Sequence, residues 1–158
     1  MDEAHDNHWM REALAEARKA LDADEVPIGA VIVSEGRVLG RGHNRIEALK
    51  DATAHAEIIA IGAASEGMGD WRLEGSTIYV TVEPCMMCLG AIFLSRISRL
   101  VFGTYDRRSG ACGGALELGA LKYMDRELTI EGNVLEDECR TLLQEFFVRA
   151  RQKDKPQQ

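Results

Sequence analysis

Apolar residues first recur at helical spacing at Met10, Leu14, Ala17 and Leu21. That pattern predicts an amphipathic helix from about His8 to Ala23, with Asp6 or Asn7 as its cap. The period then shortens. Ile28 to Val33 is an apolar run, Ser34-Glu35-Gly36 a turn, and Arg37 to His43 a second strand, together a hairpin. Arg45 to Thr53 is polar and reads as a loop into a helix from about Ala54 to Ser65, with Ile58, Ile59 and Ile61 for burial. Gly67, Gly69 and Gly75 punctuate the next connection. Thr77 to Val82 is the clearest strand, β-branched at nearly every position. It runs straight into Glu83-Pro84 and a helix from about Cys85 to Ser95. Arg99 to Gly103 and Glu127 to Glu131 supply two more strands. Gly110, Gly113, Gly114 and a short helical stretch, Ala115 to Leu121, lie between them, a connection long enough to make the two parallel. The last helix, about Leu135 to Lys153, carries Leu135, Cys139, Leu142, Leu143 and Phe146 on one face. Gln157 and Gln158 are expected to fray.

Helices that follow strands after an opening hairpin predict an α/β fold of three layers, α/β/α, around a mixed five-stranded sheet. A chain of 158 residues is expected to form one domain, residues 1–158, large enough to bury a real core. With 46% apolar and 28% charged residues and no apolar run long enough to span a bilayer, a soluble protein is expected. Met1 to Asn7 holds acidic residues and no hydrophobic core, which fits neither a secretory nor a transit peptide. Four cysteines, two of them closely spaced, suggest a reducing compartment, the cytoplasm by default. The net charge of −7 argues mildly against a nucleic-acid partner, since phosphate binding needs clustered Lys and Arg. Local patches remain at Arg107-Arg108 and at Arg149, Arg151, Lys153 and Lys155, the latter also readable as a solvated helix end.

The candidate chemistry sits in two short stretches, His55-Ala56-Glu57 and Pro84-Cys85-Met86-Met87-Cys88. Cys85 and Cys88 lie one helical turn apart, so both sulfurs can face one point. A proline suits a helix start, and a helix N-terminus favours the thiolate, the form that binds metal. Two thiolates leave a tetrahedral zinc short of ligands, and His55 is the obvious third. Three protein ligands and one open position describe a catalytic zinc, which lowers the pKa of a bound water from ~16 to about 7. Glu57, beside the histidine and not needed as a ligand, is placed to carry a proton from that water to a departing amine. The reaction class implied is hydrolytic deamination of a C–NH2 group in an amidine-like ring. One geometric objection stands against it. His55 and Glu57 are two positions apart, roughly 200° around a helix, and can converge only near its first turn, with Asp51 or Thr53 as the cap.

The spacing H-x-E followed by P-C-x-x-C resembles the signature of zinc-dependent nucleoside and base deaminases. Val26 to Val31, His43-Asn44-Arg45, Thr53 to Ile58, Tyr79 to Cys85, Ser95-Arg96-Ile97, Val101-Phe102-Gly103 and Asp137 to Phe147 more narrowly resemble the bacterial tRNA-specific adenosine deaminases. That resemblance runs from about Trp9 to Arg151. It implies a cytidine deaminase-like fold, conversion of adenosine to inosine at the wobble position of a tRNA anticodon, one zinc ion per subunit and a homodimer. Carried over position by position, it implies zinc on His55, Cys85 and Cys88, and a proton shuttle at Glu57. It also implies contacts to the flipped-out nucleotide from Asn44 and the Ala56 backbone, and an approach to nucleic acid at Asp106 and Phe147.

Plainer readings apply to the other candidates. His5, His8 and His43 are solvent or packing residues, Cys112 and Cys139 ordinary thiols, and Met86 and Met87 packing. Phe146 and Phe147 fit a core stripe equally well, and Trp71 receives no role. Two further functions stay open on the sequence. A deaminase of a free base or nucleoside, of guanine or cytosine type, would suit the acidic surface and need a pocket closed over its substrate. A zinc-bound partner subunit without turnover would have no use for Glu57.

Overall fold

Side chains alternate across the central strands and divide the core in two. The structure, a computed structural model, describes residues 2–156, so the expected fraying of Gln157 and Gln158 falls outside the described residues. Its strands are β1 (Gly29–Ser34), β2 (Arg37–His43), β3 (Thr77–Val82), β4 (Arg99–Thr104) and β5 (Thr129–Glu131). They form one sheet in the order β2-β1-β3-β4-β5. β1 runs antiparallel to both neighbours, and β3, β4 and β5 run parallel. Val31, Val33, Tyr79 and Val101 face helices α1 (Glu3–Asp22) and α5 (Glu136–Lys153). Ala30, Ile32, Ile78, Val80, Leu100 and Phe102 face α3 (Ala56–Met68) and α4 (Met86–Leu94). The mixed five-stranded sheet and three layers are as expected.

Since β2 and β3 both oppose β1, the strands β2, β3, β4 and β5 all point one way. Asn44 follows the end of β2, Cys85 that of β3 and Asp106 that of β4. These three segments therefore meet at one edge of the sheet, the edge where open α/β sheets bind ligands. The β1–β2 turn carries Glu35 at φ 49° and Gly36 at φ 72°, the left-handed pair that suits a two-residue hairpin.

Several local expectations are corrected. α1 starts at Glu3, capped by Asp2, whose Oδ1 accepts from the His5 N–H at 2.7 Å. Asp6 is no cap: its carboxylate is buried against Arg99 and Tyr79. The polar loop contains a single turn of helix, α2 (Ile46–Leu49). α3 buries Ala56, Ala60 and Ala64 in place of Ile58, Ile59 and Ile61. The reason is close approach: β2 presents Gly40 and Gly42 to α3, and a Cβ on either would overlap the helix backbone. Small residues on both surfaces let strand and helix touch, and the isoleucines lie half-buried at the flanks. Ala115 to Leu121 forms turns and a bridge from Cys112 to Glu117, with no helix.

Candidate metal centre

Two helices begin at the site, and each begins on a metal-ligand candidate. His55 is the N-cap of α3 and Cys85 the N-cap of α4, both with extended backbone. Neither side chain makes a capping hydrogen bond, although such a bond is worth about 1 kcal/mol. Both side chains turn toward each other instead. His55 Nδ1 lies 3.7 Å from Cys85 Sγ and 3.5 Å from Cys88 Sγ. All three donor atoms lie within 4.8 Å of one another. A tetrahedral zinc with bonds of about 2.0 to 2.3 Å has edges of roughly 3.5 to 3.8 Å. The two nitrogen–sulfur separations fall on such edges, so this donor set fits a zinc ion.

The objection from helical spacing dissolves at the cap. His55 stands outside α3, with φ −75° and ψ 153°, so the angle that separates positions within a helix does not apply to it. Asp51 and Thr53 do not cap α3. Asp51 Oδ1 instead accepts from the Thr53 N–H and hydroxyl, which shapes the loop. Pro84 likewise precedes the cap and does not open the helix; its carbonyl accepts from the Ala111 N–H at 2.8 Å.

Glu57 lies in the first turn of α3 and is buried, with Oε2 3.3 Å from Cys88 Sγ. Burial raises its pKa above the ordinary carboxylate value. The Cys85 thiol falls to about 4, chiefly because Cys88 hydrogen-bonds to it and then because His55 does. The same bond to Cys85, with burial, drives Cys88 far upward. Cys85 also holds the His55 ring above the usual histidine value. Four groups in contact thus share protons that a cation can replace.

Asn44 adds a polar arm. Its Oδ1 accepts from the Ala56 N–H at 2.9 Å, meeting an amide of the first turn of α3 that no helical carbonyl reaches. With its oxygen fixed on Ala56, the side chain keeps its NH2 as the donor for anything else. The Ala56 N–H is thereby already paired and acts on the site through the orientation of Asn44.

The chain matches the family described as MafB19-like deaminase over residues 4–151. It belongs to that deaminase family. The tRNA-specific adenosine deaminase of Bacillus subtilis (strain 168) is 43% identical over 150 residues, 95% of this chain and 93% of that one. A solved structure described in work on A-to-I editing by tRNA:A34 deaminases superposes with a TM-score of 0.81 at 43% identity, covering 85% of this chain and 98% of that one. A guanine deaminase structure from Bacillus subtilis gives a TM-score of 0.57 at 34% identity, over 68% of this chain and 66% of the other. The fold is thus the cytidine deaminase-like one that the sequence led us to expect.

The other named residues of this deaminase are distributed as follows. Asp106 opens the loop after β4, and its carboxylate accepts from the Arg108 and Ser109 N–H groups and the Ser109 hydroxyl. Phe147 is exposed and sits edge-on to Phe146, which packs on the core; the two phenylalanines therefore differ. His5 and His8 stand edge-on to Trp9, and His43 Nδ1 faces Glu16 at 3.5 Å, so none joins the metal group. All four cysteines are free, and burial pushes Cys112 and Cys139 up to about 12. Trp71 lies in the connection from α3 to β3, with the guanidinium groups of Arg72 and Arg96 4.4 and 5.0 Å from its ring centroid.

Glu83 was missed by reading the sequence. It is buried beside the Cys85 cap, Oε1 accepting from Asp106 N and Oε2 from Cys112 N and Gly114 N. A Cβ on Gly110 or Gly114 would overlap its carboxylate, which is why that loop is rich in glycine. Those glycines were the available signal.

Proposed function

We propose that this deaminase converts adenosine to inosine at the wobble position of a tRNA anticodon, with one zinc ion on His55, Cys85 and Cys88 of each subunit. The observation that carries the reading is the convergence of that donor set with the buried Glu57 carboxylate at the joint start of α3 and α4. The choice of substrate is supported by the 43% identity to a tRNA-specific adenosine deaminase along almost the whole chain. When bound, zinc supplies a Lewis acid that brings the pKa of water from ~16 to about 7.

The chain's own residues do the rest. Glu57 passes the first proton of the attacking water to the purine ring nitrogen, and then carries the second, from the hydroxyl now on carbon, to the amino group. The C–N bond breaks as the carbonyl forms, so water is consumed and ammonia leaves. Burial raises its pKa, which suits a group that must accept a proton as well as release one. Asn44 donates through its NH2 to the extruded nucleotide, held in that orientation by Ala56. Asp106 and the exposed ring of Phe147 meet the neighbouring nucleotides. Exposed Arg45, Arg107 and Arg108, adjacent to Asn44 and Asp106, offer phosphate contacts on an otherwise acidic chain.

Residues 1–158 act as one domain in this reading. A homodimer is supported by the outer side of α4, where Met86 is exposed beside Leu121 and Tyr123 around an apolar groove. The free cysteines support a reducing compartment, the cytoplasm. Among the described residues no helix is long and apolar enough to cross a membrane. Replacing Glu57→Ala tests the assignment: zinc is retained and deamination is lost. Loss of the metal, or surviving turnover, contradicts the role given to Glu57.

A further inference from the structure

A second buried carboxylate grips the rim of the site. Glu25 is 3% exposed and lies in the connection between α1 and β1. Its Oε1 accepts from Ala48 N at 2.7 Å and its Oε2 from Glu47 N at 3.1 Å. Both donors belong to α2, a helix of four residues, none of them buried. So short a helix has no stability of its own. Its N-cap, Arg45, makes no side-chain bond to it. The unpaired amides of α2 are instead met by a residue 22 and 23 positions upstream. The same connection reaches the segment a second time, through Ile28 O, which accepts from Asn44 N at 3.1 Å. From there the chain closes back on the metal site, Arg45 N donating to Ala54 O at 3.0 Å.

We propose that Glu25 is a positioning residue for substrate: by holding α2 it fixes Asn44 and the exposed Arg45 beside the metal centre. This rests on the reading of Asn44 as a nucleotide contact. Glu25 itself touches no reacting atom. A buried carboxylate is costly unless its oxygens are met, and here two backbone amides at a helix start meet them. The carboxylate and α2 therefore hold each other in place, with the substrate arm between α2 and β2.

The test compares wild type with Glu25→Ala and the isosteric Glu25→Gln, which keeps one oxygen but turns an NH2 toward the second amide. Zinc content stays at wild-type level in both. Hydrogen exchange at the Glu47 and Ala48 amides rises by roughly tenfold or more in Glu25→Ala, while α3 and β3 exchange as before. KM for an anticodon stem-loop rises by roughly tenfold, the scale of one lost charge-assisted hydrogen bond, with kcat changed less than about threefold. Glu25→Gln falls between. Uniform loosening with loss of metal, local exchange without a change in KM, or a change in KM without local exchange each overturns the proposal. Exchange needs no substrate, so it judges the grip of Glu25 by itself. A wild type that leaves the stem-loop unconverted counts against the substrate reading, and unaltered exchange at Glu47 and Ala48 counts against Glu25.

Discussion

Oε2 of Glu83 accepts a hydrogen bond from the backbone N–H of Cys112 at 2.6 Å. With Gly114 N on the same oxygen and Asp106 N on the other, one carboxylate ties the residue before Pro84-Cys85 to the whole loop after β4. The candidate metal centre and the Asp106 loop are therefore one mechanical unit. Replacing Glu83→Gln sets an NH2 against at least one of these donors, and a stranded buried amide costs about 1–3 kcal/mol. The expected result is a lower denaturant midpoint together with faster amide exchange at Cys112 and Gly114. An unchanged midpoint with unchanged exchange contradicts the role given to the carboxylate.

The ion pair between Asp6 and Arg99 makes stability depend on acid. Asp6 on α1 receives both terminal nitrogens of Arg99, at 2.8 and 2.7 Å, and the Tyr79 hydroxyl at 2.8 Å. Arg99 also pairs with Glu131 on β5, so one cluster ties α1 to three strands. The Arg99 hydrogen bond, outweighing burial, holds the Asp6 carboxyl below its ordinary value of 3.8. A depressed folded pKa means that the unfolded chain binds the proton more readily. The contribution is therefore complete above 3.8 and fades as pH falls through the lower folded value. Asp6→Asn is expected to cost about 3 kcal/mol at neutral pH. The gap to wild type, measured by denaturant unfolding, stays level at neutral and weakly acidic pH and narrows below 3.8. A gap that widens on acidification contradicts this account.

Much of this was legible from residue order, and the misreadings have physical causes. The strands were found within two residues at either end, since β-branched runs such as Thr77 to Val82 have no competing helical period. The grouping of His55, Cys85 and Cys88, which could hold a metal ion, was legible because that spacing is itself the chemistry. The helix starts were misread at α3 and α4 because His55 and Cys85 occupy cap positions with side chains that do not cap. Glu25 and Glu83 were invisible for another reason. Their partners are backbone amides 22 to 31 residues away, and an amide carries no residue identity that a pattern could reveal. The buried face of α3 was misassigned because its partner surface, Gly40 and Gly42, selects small residues over apolar ones.

That contact yields its own prediction. A Cβ at position 42 would overlap Ala56 O and Ala60 N, both backbone atoms that move only if α3 moves. Gly42→Ala is expected to destabilise by roughly 1–3 kcal/mol. It also displaces the start of α3, and with it His55, so zinc affinity falls alongside stability. Calorimetric unfolding and competition with a chelator read the two effects. Wild-type zinc affinity in Gly42→Ala contradicts the coupling.

The most direct measurement is inosine formation on an anticodon stem-loop with adenosine at the wobble position, with ammonia release from free guanine, cytosine and adenosine assayed in parallel. The account predicts inosine in the RNA, abolished by zinc removal and by Glu57→Ala, with the free bases and the nucleoside left intact. Ammonia from a free base while the RNA stays unchanged would contradict it.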